Sequence, residues 1–124
     1  MRGLPMLMLA LLSLPVALVG CDEGDGAVIE QLRDAGADLS QPREVRYYLY
    51  LPTAADADAV AAAARNGARS IQVEPAATGD DWLVLITETI VVDADTMAAR
   101  RNEFHGLSDP RGGTYDGWEA AAEP

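Results

Sequence analysis

The chain has one cysteine, one histidine, one phenylalanine and no lysine. A lone cysteine has no internal disulfide partner, so stability has to come from packing. A metal centre of the usual kind draws on several His or Cys ligands at close spacing, and the sequence does not offer them. All nine basic residues are arginine, set against twenty Asp and Glu, for a net charge of −11. The missing lysine and abundant alanine read as the bias of a GC-rich genome more than as a mechanism. The negative field repels a phosphate backbone, so direct nucleic-acid binding is not expected. A cationic protein partner or plain solubility suits an acidic surface better.

The single cysteine is also the most informative residue. Cys21 closes the tetrapeptide Leu18-Val19-Gly20-Cys21 at the end of an apolar run from Leu4 to Val19, with Arg2 ahead of it. A positive start, an apolar stretch and a small residue before Cys form the pattern of a bacterial lipoprotein signal. The run is short for a membrane-spanning helix, and Pro5 and Pro15 interrupt it. The expectation is a signal peptide over residues 1–20, removed in the mature protein, with Cys21 as the lipid attachment site. Two or three acyl chains would anchor it stably. The expected location is the cell envelope, with the periplasmic side of the inner membrane favoured by Asp22. A cytoplasmic location is the alternative. Loss of Arg2 leaves eight basic against twenty acidic residues, a mature charge of −12.

What remains is long enough for one small domain. Residues 21–26 read as an acidic tether, residues 27–121 as the domain and residues 122–124 as a tail. Val28, Ile29, Leu32 and Ala35 recur at helical spacing before Gly36. Val45 to Leu51 reads as a strand, with Val45, Tyr47, Leu49 and Leu51 on one face and Arg46, Tyr48 and Tyr50 on the other. Thr53 is placed to cap a second helix, with Asp56 and Asp58 in its first turn, and Gly67 ends it. Ser70 to Glu74 is the next strand, and Pro75 to Asp81 a turn. Trp82 to Val92 is a near-continuous apolar run, the mark of a central strand buried on both faces at its start. Asp93 or Asp95 can cap a third helix that runs to about Phe104. Thr114 to Glu119 is the last strand, and the chain from Ala120 is expected to fray. The order is a helix followed by βαββαβ. That order predicts an α+β, ferredoxin-like split βαβ sandwich with an extra N-terminal helix. The sheet face away from the paired helices is expected to be open or covered by that extra helix.

No catalytic set assembles along this chain, no enzyme activity is expected, and no cofactor is implied. His105, beside Gly106 at an expected helix end, reads as a dipole contact. The pairs Asp80/Asp81 and Asp93/Asp95 sit where turns and caps want Asp. Asp56 and Asp58 open a helix, whereas a calcium loop would need further ligands. Gly112-Gly113 is turn chemistry. The aromatic residues Tyr48, Tyr50, Trp82, Tyr115 and Trp118 are candidates for one sheet surface. They either fill the core, in part under the N-terminal helix, or form a platform for a protein partner, where Tyr and Trp are favoured. With Asp116 they make up the candidate partner interface.

The chain carries Ala35-Gly36-Ala37-Asp38-Leu39, Tyr47-Tyr48-Leu49-Tyr50-Leu51-Pro52, Trp82-Leu83-Val84-Leu85 and, most specifically, Tyr115-Asp116-Gly117-Trp118-Glu119. Together these stretches resemble the RraB family, regulators of ribonuclease E activity. The resemblance runs from about Val28 to Ala121. It implies the same α+β sandwich, a non-catalytic regulatory role and a protein partner, ribonuclease E. Members with a known role are acidic cytoplasmic proteins that bind that enzyme and inhibit or remodel the RNA degradosome. Their long acidic C-terminal tail is not expected here, and the lipoprotein pattern is a second departure. The alternative expectation is an envelope lipoprotein with an unrelated partner or a small-ligand sensing role.

Overall fold

The computed structural model describes residues 17–20 and 24–121; Cys21, most of the expected signal peptide and residues 122–124 lie outside them. The elements in chain order are β1 (Ala17–Gly20), α1 (Asp25–Asp34), β2 (Arg43–Leu51), α2 (Ala54–Ala64), β3 (Ser70–Pro75), β4 (Trp82–Ile90), α3 (Ala94–Ser108), a 3-10 turn (Asp109–Arg111) and β5 (Thr114–Ala121). The sheet order is β1-β5-β2-β4-β3, and every neighbouring pair is antiparallel. The run β5-β2-β4-β3 is the strand order of a ferredoxin-like βαββαβ fold, as expected from the element order. β1 is an addition at its edge.

Local chemistry explains the element starts. Thr53 Oγ1 accepts from the Asp56 amide at 3.1 Å, and Asp93 Oδ1 accepts from the Thr96 amide at 2.8 Å. Each bond satisfies a backbone donor that a helix start leaves orphaned. The Thr96 backbone bond also holds the Asp93 carboxyl below its usual range. α3 runs past Gly106 to Ser108, four residues beyond the expected end at Phe104. An exposed glycine weakens a helix without stopping it. The chain turns instead at Gly112, whose φ of 74° is left-handed. α1 starts at Asp25, inside the stretch expected to be a tether, because Asp25 is a buried anchor.

β2 alternates as the sequence predicts: Val45, Tyr47, Leu49 and Leu51 are wholly buried, while Arg46, Tyr48 and Tyr50 are not. Leu83 and Val84 are both buried, as expected for the start of a central strand. The inward residues share one core with Val28, Ile29 and Leu32 of α1, Ala57, Val60, Ala61 and Ala64 of α2, and Met97 and Phe104 of α3. Full burial of each large aliphatic or aromatic side chain contributes roughly 1.5–3 kcal/mol. α3 contacts both other helices, so all three lie on one side of the sheet, and α1 does not cover the other. Ala120, expected in a frayed tail, pairs with Val45 and is buried.

Candidate interaction face

The sheet divides the six candidate interface residues between its two sides. Register decides the matter, because directly opposed residues of antiparallel strands point the same way. Leu51 pairs with Trp82, Leu49 with Tyr115 and Tyr47 with Trp118. Trp82, Tyr115 and Trp118 therefore face the helices. Trp118 is 1 % exposed and Tyr115 7 %, while Trp82 packs partly buried against the same core. These three take the core alternative, and the candidate platform is left with Tyr48, Tyr50 and Asp116. Trp118 lies under α1: its indole Nε1 donates to Asp25 Oδ1 at 2.9 Å.

A regular strand would send Tyr115 and Trp118, three residues apart, to opposite faces. The register between β2 and β5 shifts between Tyr48 and Leu49: Leu49 faces Tyr115 while Tyr48 faces Gly117. Asp116 is the extra residue of a β-bulge, and Gly117 takes a φ of 118°, which an L side chain rarely adopts. The bulge turns both aromatics inward and leaves Asp116 exposed.

Tyr48, Tyr50 and Asp116 remain on the helix-free side. Tyr50 pairs with Leu83 and Tyr48 with Leu85, so the central strands β2 and β4 carry a strip of two tyrosines and two leucines. Leu83 is buried and the other three are half-buried. Sequence reading singled out the tyrosines and not the leucines, although Leu83 and Leu85 sit one position off the inward alternation of Val84 and Ile86. Glu74 pairs with Leu83 from β3, and Asp116 and Glu119 border the strip from β5. The Tyr48 hydroxyl donates to Glu119 Oε1. Burial, and then that bond, push the Tyr48 hydroxyl up to about 12. Burial, with the Asp116 charge, also raises Tyr50. Arg46 sits 3.9 Å from Glu119 and 3.2 Å from Glu44. A shallow cleft between Tyr50, Thr114, Asp116, Ala76, Thr78 and Asp81 closes one end.

The helix side holds a charge cluster that sequence reading missed. Glu88 is 5 % exposed. Its carboxylate accepts from Tyr47 Oη at 2.6 Å and from Arg100 Nε at 2.6 Å, with Arg69 Nε at 3.5 Å. Arg69 also makes a fork to Glu103, at 2.7 and 2.8 Å, and its guanidinium lies 5.2 Å from the Phe104 ring centre. Burial pushes the Glu88 carboxyl up, but the bonds from Arg100 and Tyr47 outweigh it and hold the carboxyl below its ordinary value. The Glu103 fork in turn raises Arg69. The signal in the sequence was parity: Glu88 follows Val84 and Ile86 at steps of two, so it points inward. His105 contacts Asp109 at 3.2 Å and meets the Tyr115 ring edge-on. Among the described residues no group of three His, Cys, Asp or Glu could hold a metal ion, and no helix is long and apolar enough to cross a membrane.

The family model described as RraB, regulator of ribonuclease activity B, matches residues 22–120. The chain belongs to the RraB family. Searches of curated proteins and of solved structures returned no match. An RraB domain is a regulatory module with a protein-binding role, and the match runs from α1 through β5 except for its last residue, Ala121. The Tyr-Asp-Gly-Trp stretch, the most specific point of the resemblance, is the bulge of β5 in this RraB domain. Its aromatics build the core, and only Asp116 reaches the surface.

Proposed function

We propose that this RraB domain is a non-catalytic regulator that binds a protein partner through the helix-free sheet face, tethered to the cell envelope by lipid on Cys21. The observation that carries the reading is the strip Tyr48, Tyr50, Leu83 and Leu85, framed by Glu74, Asp116 and Glu119. An apolar centre with an ionic rim is the anatomy of a recognition patch, and tyrosine is favoured at its energetic centre. The acidic rim and the mature charge of −12 call for a partner with basic residues around an aliphatic or aromatic contact. A lipid on Cys21 would hold the domain outside the cytoplasm, so the partner is an envelope protein. The test is metabolic lipid labelling and fractionation of wild type and Cys21→Ser, followed by capture from solubilised envelopes with wild type and Tyr50→Ala. Label and membrane location should vanish with Cys21→Ser, and a captured protein should be lost with Tyr50→Ala. An unlabelled wild type removes the tether, and capture unchanged by Tyr50→Ala removes the face.

One observation favours a second reading. Ala17–Gly20 pairs with β5 as a strand of the sheet, which suits a chain that keeps those residues. Such a chain would stay in the cytoplasm, where the partner implied by the family is ribonuclease E. Intact mass separates the two readings, since only the second retains residues 1–20.

A further inference from the structure

The two edges of the sheet are built differently. β3 is six residues long and ends in Glu74-Pro75. A charge and a residue without an N–H are the usual protections of an edge against further pairing. β5 has eight residues and no proline. Its outer side is occupied by β1, in the register Ala17 to Ala121, Leu18 to Ala120, Val19 to Glu119 and Gly20 to Trp118. α1 packs against β1. β1 is therefore the tetrapeptide that ends immediately before Cys21. A cut between Gly20 and Cys21 separates it from the domain. The core cluster from Val28 to Ala120 lies on the domain side of the cut.

The geometry points to the outer edge of β5 as a docking site for an extended aliphatic segment of a protein partner, one that pairs antiparallel with Trp118–Ala121 in place of Ala17–Gly20. This rests on the lipoprotein reading, since the cut is what empties the edge. Backbone N–H and C=O groups of β5 then lose their partners, and strand addition restores them. The register states what the segment must be. Residues opposite Trp118 and Ala120 fall on the helix side, where only apolar groups avoid a desolvation cost. A residue opposite Glu119 falls on the open face, and the mature charge of −12 favours arginine or lysine there and in the flanks. In the uncut chain β1 competes for the same edge, so the precursor holds its own docking site closed.

The experiment uses three full-length expressed chains. Wild type is purified from membranes in detergent; Cys21→Ser stays uncut; Cys21→Ser with Leu18→Pro and Val19→Pro stays uncut but cannot pair. Neighbouring N–H groups of a strand point to opposite sides, so two prolines remove the inward donor whichever it is. The probe is a fluorescent peptide with the sequence of residues 15–20 and an arginine at each end, read by anisotropy. If β1 fills the edge nine-tenths of the time, apparent affinity falls about ten-fold. Wild type and the double-proline chain should therefore bind about ten-fold more tightly than Cys21→Ser, and bound peptide should slow amide exchange in Trp118–Ala121. Equal binding by all three chains, or exchange unchanged in β5, overturns the proposal. Intact mass keeps the two ideas apart. Wild type that retains residues 1–20 sinks the lipoprotein reading and this proposal with it. Wild type that is cut and lipidated but binds no peptide sinks the edge alone.

Discussion

Asp25 in the first turn of α1 accepts a 2.9 Å hydrogen bond from the indole of Trp118 in β5, across 93 positions of chain. The other oxygen of the same carboxylate pairs with Arg101 of α3. One side chain thus fastens the N-terminal helix to both its neighbour helix and the sheet. Asp25→Ala should cost about 1–3 kcal/mol, because it leaves a buried indole N–H without its acceptor. In a domain of this size each kcal/mol lowers Tm by about 4–8 °C. Trp118 fluorescence during thermal unfolding checks it, and a Tm equal to wild type would show that α1 is held by apolar packing alone.

Glu88 gives the domain an acid limit. Its folded carboxyl lies below the ordinary value of 4.5, so the unfolded chain takes up its proton first. The stability it supplies is complete above that value and is lost as pH falls through the folded one. Urea titrations between about pH 3 and pH 6 should show stability falling on acidification, with a shallower fall in Glu88→Gln. That variant should also be weaker at neutral pH by about 3 kcal/mol, since Arg69 and Arg100 lose the charge they share.

Two glycines should respond in opposite directions to alanine. A Cβ at Gly113 would lie 2.4 Å from the Tyr50 carbonyl oxygen and 2.6 Å from Leu51 Cδ1. The start of β5 would have to move off β2, and Gly113→Ala should destabilise by at least about 1–3 kcal/mol. A Cβ at Gly106, within α3, meets nothing within 4 Å. Gly106→Ala should stabilise by about 0.5–1 kcal/mol through helix propensity. Chemical denaturation of both, side by side, checks the pair.

Tyr50 and Tyr115 should separate binding from folding. Tyr50→Ala removes a half-buried ring from the open face and should change stability by at most about 1 kcal/mol while weakening partner capture. Tyr115→Ala empties a core position against Phe104, whose ring centre is 5.7 Å away, and should cost about 3–5 kcal/mol. Capture lost with Tyr115→Ala in a still folded chain, and kept with Tyr50→Ala, would place the interface elsewhere.

These pairs mark the reach of local reading. Alternation in Val45–Leu51, the caps Thr53 and Asp93 and the order βαββαβ were legible because each rests on a few neighbouring residues. They were enough for the fold class. They were not enough for the candidate face. Trp82 and Tyr48 look alike as strand aromatics, and only their opposition to Leu51 and Leu85 assigns them to different sides.

The amino-acid order alone decides the alternation of β2, the start of α2 at its Thr53 cap, and that Cys21 follows an apolar run. Tertiary structure decides which face is the inside. Asp116 becomes the odd residue of a bulge only because β2 is there to be out of register with it. Glu88 becomes a buried charge only because Tyr47, Arg69 and Arg100 converge on it from three other segments. Residues 17–20 become a strand only because β5 offers them an edge. The physical reason is the same in each case: periodicity is local, whereas pairing and burial are properties of segments that meet in space.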